Sequence, residues 1–291
     1  MHKLKWAVAA VAVLFTAFGL CRAADDETYD LRGPAPKKGQ VFVSKGKLTI
    51  KDADATMKFA GMTKSGKLTM VATSEEEAKV LAVDGRNVTK CQTKIIKEQA
   101  EINANIGGLE INDTEPTALE KETVISERKG DGKWTHLLVD TQPSAKQKKE
   151  LDNRNGIEND DDLYPKEKVK VGHTWTVDAT ALQKLLGNSF SDVKGKINQK
   201  FLKVEEVDGQ MCAVVQSKGK ITGKMKEDGE PKMDVEMDLV VTTWKALETG
   251  VAVKESFEGK IKMSGIQEMD DIKIEITLSG PVTGESTTKL K

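Results

Sequence analysis

The chain has 291 residues, 38% of them hydrophobic and 31% charged, with a formal net charge of −1. A near-neutral balance with interspersed signs supplies no electrostatic pull toward nucleic acid or an anionic membrane. The length suits one large β domain or two similar lobes.

The first residues read as an export leader. Lys3 and Lys5 precede an apolar run from Trp6 to Leu20, and Cys21-Arg22-Ala23 offers small residues at the positions a signal peptidase reads. The run is short for a membrane span, so residues 1–23 are expected to be removed, and no later run is long enough to cross a bilayer. Leu20 stands where a lipoprotein signal carries Gly, Ala or Ser, which argues against lipidation of Cys21. The expected location is the periplasm or the extracellular space. Residues 24–40 are polar, carry Gly33, Pro34 and Pro36, and read as a flexible lead-in.

Extended segments begin at Val41. Gly-Lys-Leu-Thr occurs at Gly46 to Thr49 and again at Gly66 to Thr69, as in two similar hairpin strands. Asp84-Gly85 sits between two strand-like runs and predicts a hairpin. Asp208-Gly209 repeats that arrangement in the second half, with Cys212 following as Cys91 follows the first turn. A third hairpin is expected at Lys129 to Gly132, leading into Trp134. These segments make residues 41–142 a first β half and residues 166–291 a related second half.

Residues 143–165 form a helical and acidic connector. Ser144 to Asn153 follows Pro143 and carries Leu151 as its one large apolar residue, so it reads as a solvated helix. Asp152 to Asp162 invites comparison with a calcium loop. Aligning Gly156 with the loop glycine places Asn153 and Asn155 correctly, but puts Leu151 at the first ligand position and Asp162 where a bidentate Glu belongs. A solvated acidic loop is the expectation, with no metal. A second helix is predicted over Asp178 to Leu186, capped by Asp178 and stopped by Gly187, with Leu182, Leu185 and Leu186 on one side.

Lys232 to Thr243 fixes the architecture. Met233, Val235, Met237, Leu239 and Val241 alternate with Asp234, Glu236 and Asp238, as in a strand with one buried and one wet face. Such strands belong in antiparallel sheets. Ile272, Ile274, Ile276 and Leu278 repeat the pattern near the end of the chain. The predicted fold is mainly β: antiparallel up-and-down sheets, half-barrel or barrel-like, in two related halves with two short helices.

Chemistry-bearing motifs are scarce. Beyond the leader only His136 and His173 remain, and no HExxH, GxSxG, phosphate-cradling loop or dinucleotide fingerprint occurs. No cofactor is expected and a non-enzymatic role is favoured. A hydrolase using a carboxylate pair assembled by the fold is the catalytic alternative. Cys91 and Cys212 allow one disulfide; two small buried thiols are the other reading.

Tyr164-Pro165, Val169, Val171-Gly172 and Trp175 form a segment that resembles a stretch of uncharacterised secreted bacterial β-rich proteins, in which a Pro-containing loop enters a VxVGxxW strand. The resemblance covers about a dozen residues and implies no activity. Physically, Trp175 should anchor the core of the second half.

Nine of the ten methionines lie beyond the leader, several on inward faces of predicted strands, while aromatics are 4%. Methionine lines adaptable apolar surfaces well. The predicted groove therefore uses Met233, Val235, Met237, Leu239, Met263 and Ile274 from the sheet, with Leu182 and Leu185 from the helix above it. In outline this is similar to periplasmic lipid- and lipoprotein-carrier half-barrels. The expected partner is an apolar small molecule or another envelope protein; the alternative is that these residues simply fill the core.

Overall fold

A computed structural model describes residues 27–227, 230–269 and 272–291. The predicted leader and Cys21 lie outside the described residues. Twelve strands form one antiparallel sheet: β1 (Val41–Phe59), β2 (Met62–Asp84), β3 (Asn87–Ile106), β4 (Leu109–Pro116), β5 (Thr123–Arg128), β6 (Trp134–Leu138), β7 (Thr174–Asp178), β8 (Phe190–Val207), β9 (Gln210–Glu227), β10 (Glu230–Ala246), β11 (Ala252–Met269) and β12 (Ile272–Leu290). The order is β6-β5-β3-β2-β1-β12-β11-β10-β9-β8-β7, with β4 also paired to β3. The sheet does not close. The end strands β6 and β7 are only five residues each, and β4 adds an eight-residue edge beside β3, so the edges left open to other chains are short.

The two sequence halves meet inside this sheet. β1 pairs with β12 from Phe42↔Leu290 to Lys58↔Glu275. The main apolar cluster draws on both sides of that seam, with Leu48, Ile50 and Met70 from one and Met237, Ile261 and Met263 from the other. The halves therefore share one sheet and one core.

Local signals place the turns. Gly85 (φ 55°) and the pair Asp208-Gly209 (φ 49° and 80°) adopt the left-handed conformations that tight hairpins need. Register shifts in β1 between Ile50 and Ala53, next to Asp52 at φ 50°, and in β8 beside Asp192 at φ 54°, add twist where the sheet must curl. The curl is strong. β3 and β8 are seven strands apart, roughly 34 Å in a flat sheet at ~4.8 Å per strand, yet Glu98 and Ile197 line the same cavity.

Helix α1 (Ala145–Asp152) starts at Ser144, which forms a capping box with Gln147. It is less solvated than its composition suggests. Leu151 is buried, and buried Glu150 accepts from the backbone amides of Ala118 (2.8 Å) and Leu119 (3.0 Å). A 3-10 turn (Ala179–Leu182) capped by Asp178 runs into the single-turn α2 (Gln183–Leu186), which ends at Gly187.

The chain between β6 and β7 joins opposite edges of the sheet, so residues 139–173 must cross it. They form a strap over the inner face. The segment expected as a flexible lead-in is docked beside the strap. Tyr29 bridges to Val169, Leu31 is 1% exposed, and the Gly39 amide donates to the Val80 carbonyl at 2.9 Å. Cys91 and Cys212 are both free and buried. They sit on β3 and β9 in separate apolar clusters, with five strands between them, so the disulfide admitted by the sequence is not formed. Among the described residues no helix is long and apolar enough to cross a membrane.

Candidate functional site

A half-open cavity of about 410 Å³ lies between the inner face of the sheet, the strap and α2. Its two ends differ in chemistry. Take as upper the end of the sheet with the β1–β2 turn, and as lower the end with the β2–β3 turn. Toward the upper end the wall is apolar: Met237 and Leu239 of β10, Phe257 and Ile261 of β11, and Leu182 and Leu185 beside α2. The Phe257 ring occupies the space over Gly284 of β12, where an added Cβ would stand 2.0 Å from it. Glycine at 284 thus makes the depth that the ring fills.

Midway down the inner face the wall turns polar. One cross-strand row is read directly from the register: Thr243↔Glu255↔Ser286↔Gly46↔Ser74↔Glu98, across β10, β11, β12, β1, β2 and β3. Thr243 donates to Glu255 Oε1 at 2.5 Å. Glu255 Oε2 is shielded and has no hydrogen-bond partner, and neither has the Oγ of Ser286, which is 3% exposed. Burial pushes the Glu255 carboxyl up to about 8; the Thr243 bond opposes this, the charge of Asp160 adds to it and Lys245 offsets part. Near neutral pH this acid is held mostly protonated.

The strap supplies the remaining charges, and they are held in ion pairs. Arg154 donates to Glu98 and to Glu76, both at 3.1 Å. Burial works against its charge, but Glu98 and Glu76 outweigh it and hold the guanidinium above its usual range. Glu76 is raised by its own burial, with Arg154 opposing. Asp160 receives two 2.6 Å bonds from Lys245, which is 2% exposed and lies 4.1 Å from the Tyr164 ring centre. Asp161 takes a bidentate grip from Arg86 at 2.6 and 2.8 Å, and Asp162 pairs with Lys184 at 2.7 Å. Glu158 accepts from Trp134 Nε1 at 2.7 Å and pairs with Arg128. The acids that suggested a calcium loop are thus in ion pairs that dock the strap. Trp175 donates to the Leu163 carbonyl at 2.9 Å and Tyr164 is buried, so the YP…VxVGxxW segment anchors the strap's far end.

Four of the eight predicted groove residues line the cavity: Met237, Leu239, Leu182 and Leu185. Met233, Val235 and Met263 are buried in the main apolar cluster instead, packed nearer the upper end. Ile274 is half-buried and lies outside both groups. Sequence reasoning missed Glu255, Ser286, Thr243 and Arg154. Three of them carried a signal. Continuing the inward parity of β10 past Val241 gives Thr243; that of β11 from Met263 and Ile261 reaches Glu255; that of β12 from Leu278 reaches Ser286. Polar residues on a greasy face mark a place where the core stops. Arg154 gave no such sign, because a strap has no period.

No protein-family model matches the sequence, and no curated protein matches it. Among solved structures, the chain is similar to the outer membrane protein OprG from Pseudomonas aeruginosa at 9% identity, covering 89% of this chain and 99% of that one, with a TM-score of 0.20. It is also similar to a DUF1329 family protein from Desulfovibrio piger at 8% identity, covering 87% and 85%, with a TM-score of 0.13. At these scores neither likeness bears on fold or function. What the geometry itself defines is a class: an open antiparallel sheet with a strapped, partly polar inner cavity.

Proposed function

We propose that this is an exported binding protein that holds a small molecule with an apolar body in the inner-face cavity. The leader at the start of the sequence is the basis for export. The carrying observation is the cavity itself. A purely structural module would pack its inner face dry, whereas about 410 Å³ is left here beneath the strap, within the ~300–1,000 Å³ usual for small-molecule sites. Methionine and leucine side chains on its wall can re-pack around ligands of different shape. The test is native mass spectrometry of protein isolated from its own host, beside binding of a neutral apolar fluorophore. A co-purifying mass, and fluorophore binding weakened in Leu239→Trp, support the reading. A clean apo mass together with fluorophore binding that ignores Leu239→Trp would end it.

A hydrolase remains as a second reading because Glu255, a carboxyl that keeps its proton to about pH 8, faces the cavity. Against it, the neighbouring acid Asp160 is clamped by Lys245 and Glu76 and Glu98 by Arg154, which leaves no unencumbered base. Turnover of a panel of ester and glycoside substrates, abolished by Glu255→Gln, would revive it.

A further inference from the structure

The cavity also indicates what the polar end of its ligand should be. The cations that line it are engaged: Arg154 holds two carboxylates, and Lys45, largely exposed, pairs with Glu75. Just behind the wall, buried Lys245 is held by both oxygens of Asp160. The acids are in surplus. Glu76 and Glu98 share the single charge of Arg154, and among the described residues Glu255 makes no ion pair. In the row that separates the apolar wall from the strap's ion pairs, Glu255 Oε2 and Ser286 Oγ are unpartnered, on residues directly opposed across β11 and β12; of the two, Glu255 lines the cavity. A buried oxygen without a donor costs free energy until something donates to it. A carboxylate head would bring a further negative charge to that acid surplus, where the lining cations are already engaged.

We infer that the cavity takes a cationic amphiphile, a chain ending in a protonated amine, with the ammonium donating to Glu255, which gives up its own proton to solvent as the ion pair forms, and with the chain lying along Met237, Leu239 and Phe257. This inference rests on the reading of the cavity as a ligand site and adds headgroup selection to it.

The experiment separates the two. Protein from expression of the whole chain is loaded with the neutral fluorophore N-phenyl-1-naphthylamine. Decylamine, decanol and decanoate then compete for it at pH 7, below their micelle concentrations. The expected order is amine, then alcohol, then carboxylate, with the amine at least about tenfold tighter than the carboxylate. Glu255→Gln, which keeps the shape and the Thr243 contact, should remove most of the amine's advantage while leaving decanol within about threefold, since only the charged partner is lost. Carboxylate binding tightest, or an amine preference that survives Glu255→Gln, overturns the headgroup inference and leaves the cavity reading standing. If none of the three displaces the fluorophore, and Leu239→Trp does not alter its binding, the cavity reading fails and the inference with it.

Discussion

The upper and lower parts of the inner face solve one problem in two ways. Above, Leu48, Ile50, Met70, Ile261 and Met263 are each at most 2% exposed and pack side chain against side chain. Below, the strap lies over the sheet and is held by ion pairs: Arg154 with both Glu76 and Glu98, Asp160 with Lys245, Asp161 with Arg86. Burial of apolar area is non-directional and tolerates many partners. Buried ion pairs need both members in place, because desolvation penalises whichever is left alone. The lower part is therefore the more specific and the less forgiving of the two, and the cavity sits where one mode gives way to the other.

The largest test strikes the lower part. Arg154→Met strands Glu76 and Glu98 together under the strap and should cost ~3–5 kcal/mol in urea unfolding. Adding Glu76→Gln and Glu98→Gln to that variant should restore much of the loss; a single variant near wild type would show that the strap floats. Next comes the upper part. Met263→Ala and Ile50→Ala should each cost ~2–5 kcal/mol by the same assay, whereas Leu239→Ala, beside space that already exists, should cost less than either. Equal costs at 239 and 263 would mean that the cavity is filled in solution.

Titration sharpens the contrast further. Burial pushes the His136 imidazole down to about 4, from an ordinary value of 6.5. The unfolded chain then binds the extra proton first, so stability falls as pH drops from 6.5 toward 4. For Glu255 the sign is reversed: its carboxyl keeps its proton to about 8 against an ordinary 4.5, so its contribution is lost as pH rises through that window. Denaturation midpoints of His136→Gln should decline less steeply on the acid side, and those of Glu255→Gln less steeply between pH 4.5 and 8. Slopes unchanged by either substitution would refute the assignment. The smallest effect is Trp175→Phe, which forfeits the bond to the Leu163 carbonyl and should cost ~1 kcal/mol in the thermal midpoint.

Much of this was legible in the sequence because it is local. Alternation at Met233 to Val241 gave the strand and its buried side. Asp84-Gly85 and Asp208-Gly209 gave hairpins, and Ser144, Asp178 and Gly187 marked helix ends. What escaped is set by distance along the chain. Parity says which side a residue faces but not which strand lies beside it, so the joining of β1 to β12 was not visible. The separation of Cys91 from Cys212 was hidden for the same reason. The strap escaped because its residues are polar. Their function lies in partners such as Glu98 and Lys245, tens of residues away, and alone they look like solvated loop.

The seam between β1 and β12 has a consequence for how the molecule comes into being. Ser44 and Thr288, which bond across it at 2.9 Å, lie 244 positions apart. Until the final strand arrives, the side of β1 that pairs with it is unsatisfied. Entropic loop-closure cost makes such distant pairings late and slow. Completion of the fold should thus wait on the last strand, and a chain cut short of β12 should leave the β1 edge open to self-association.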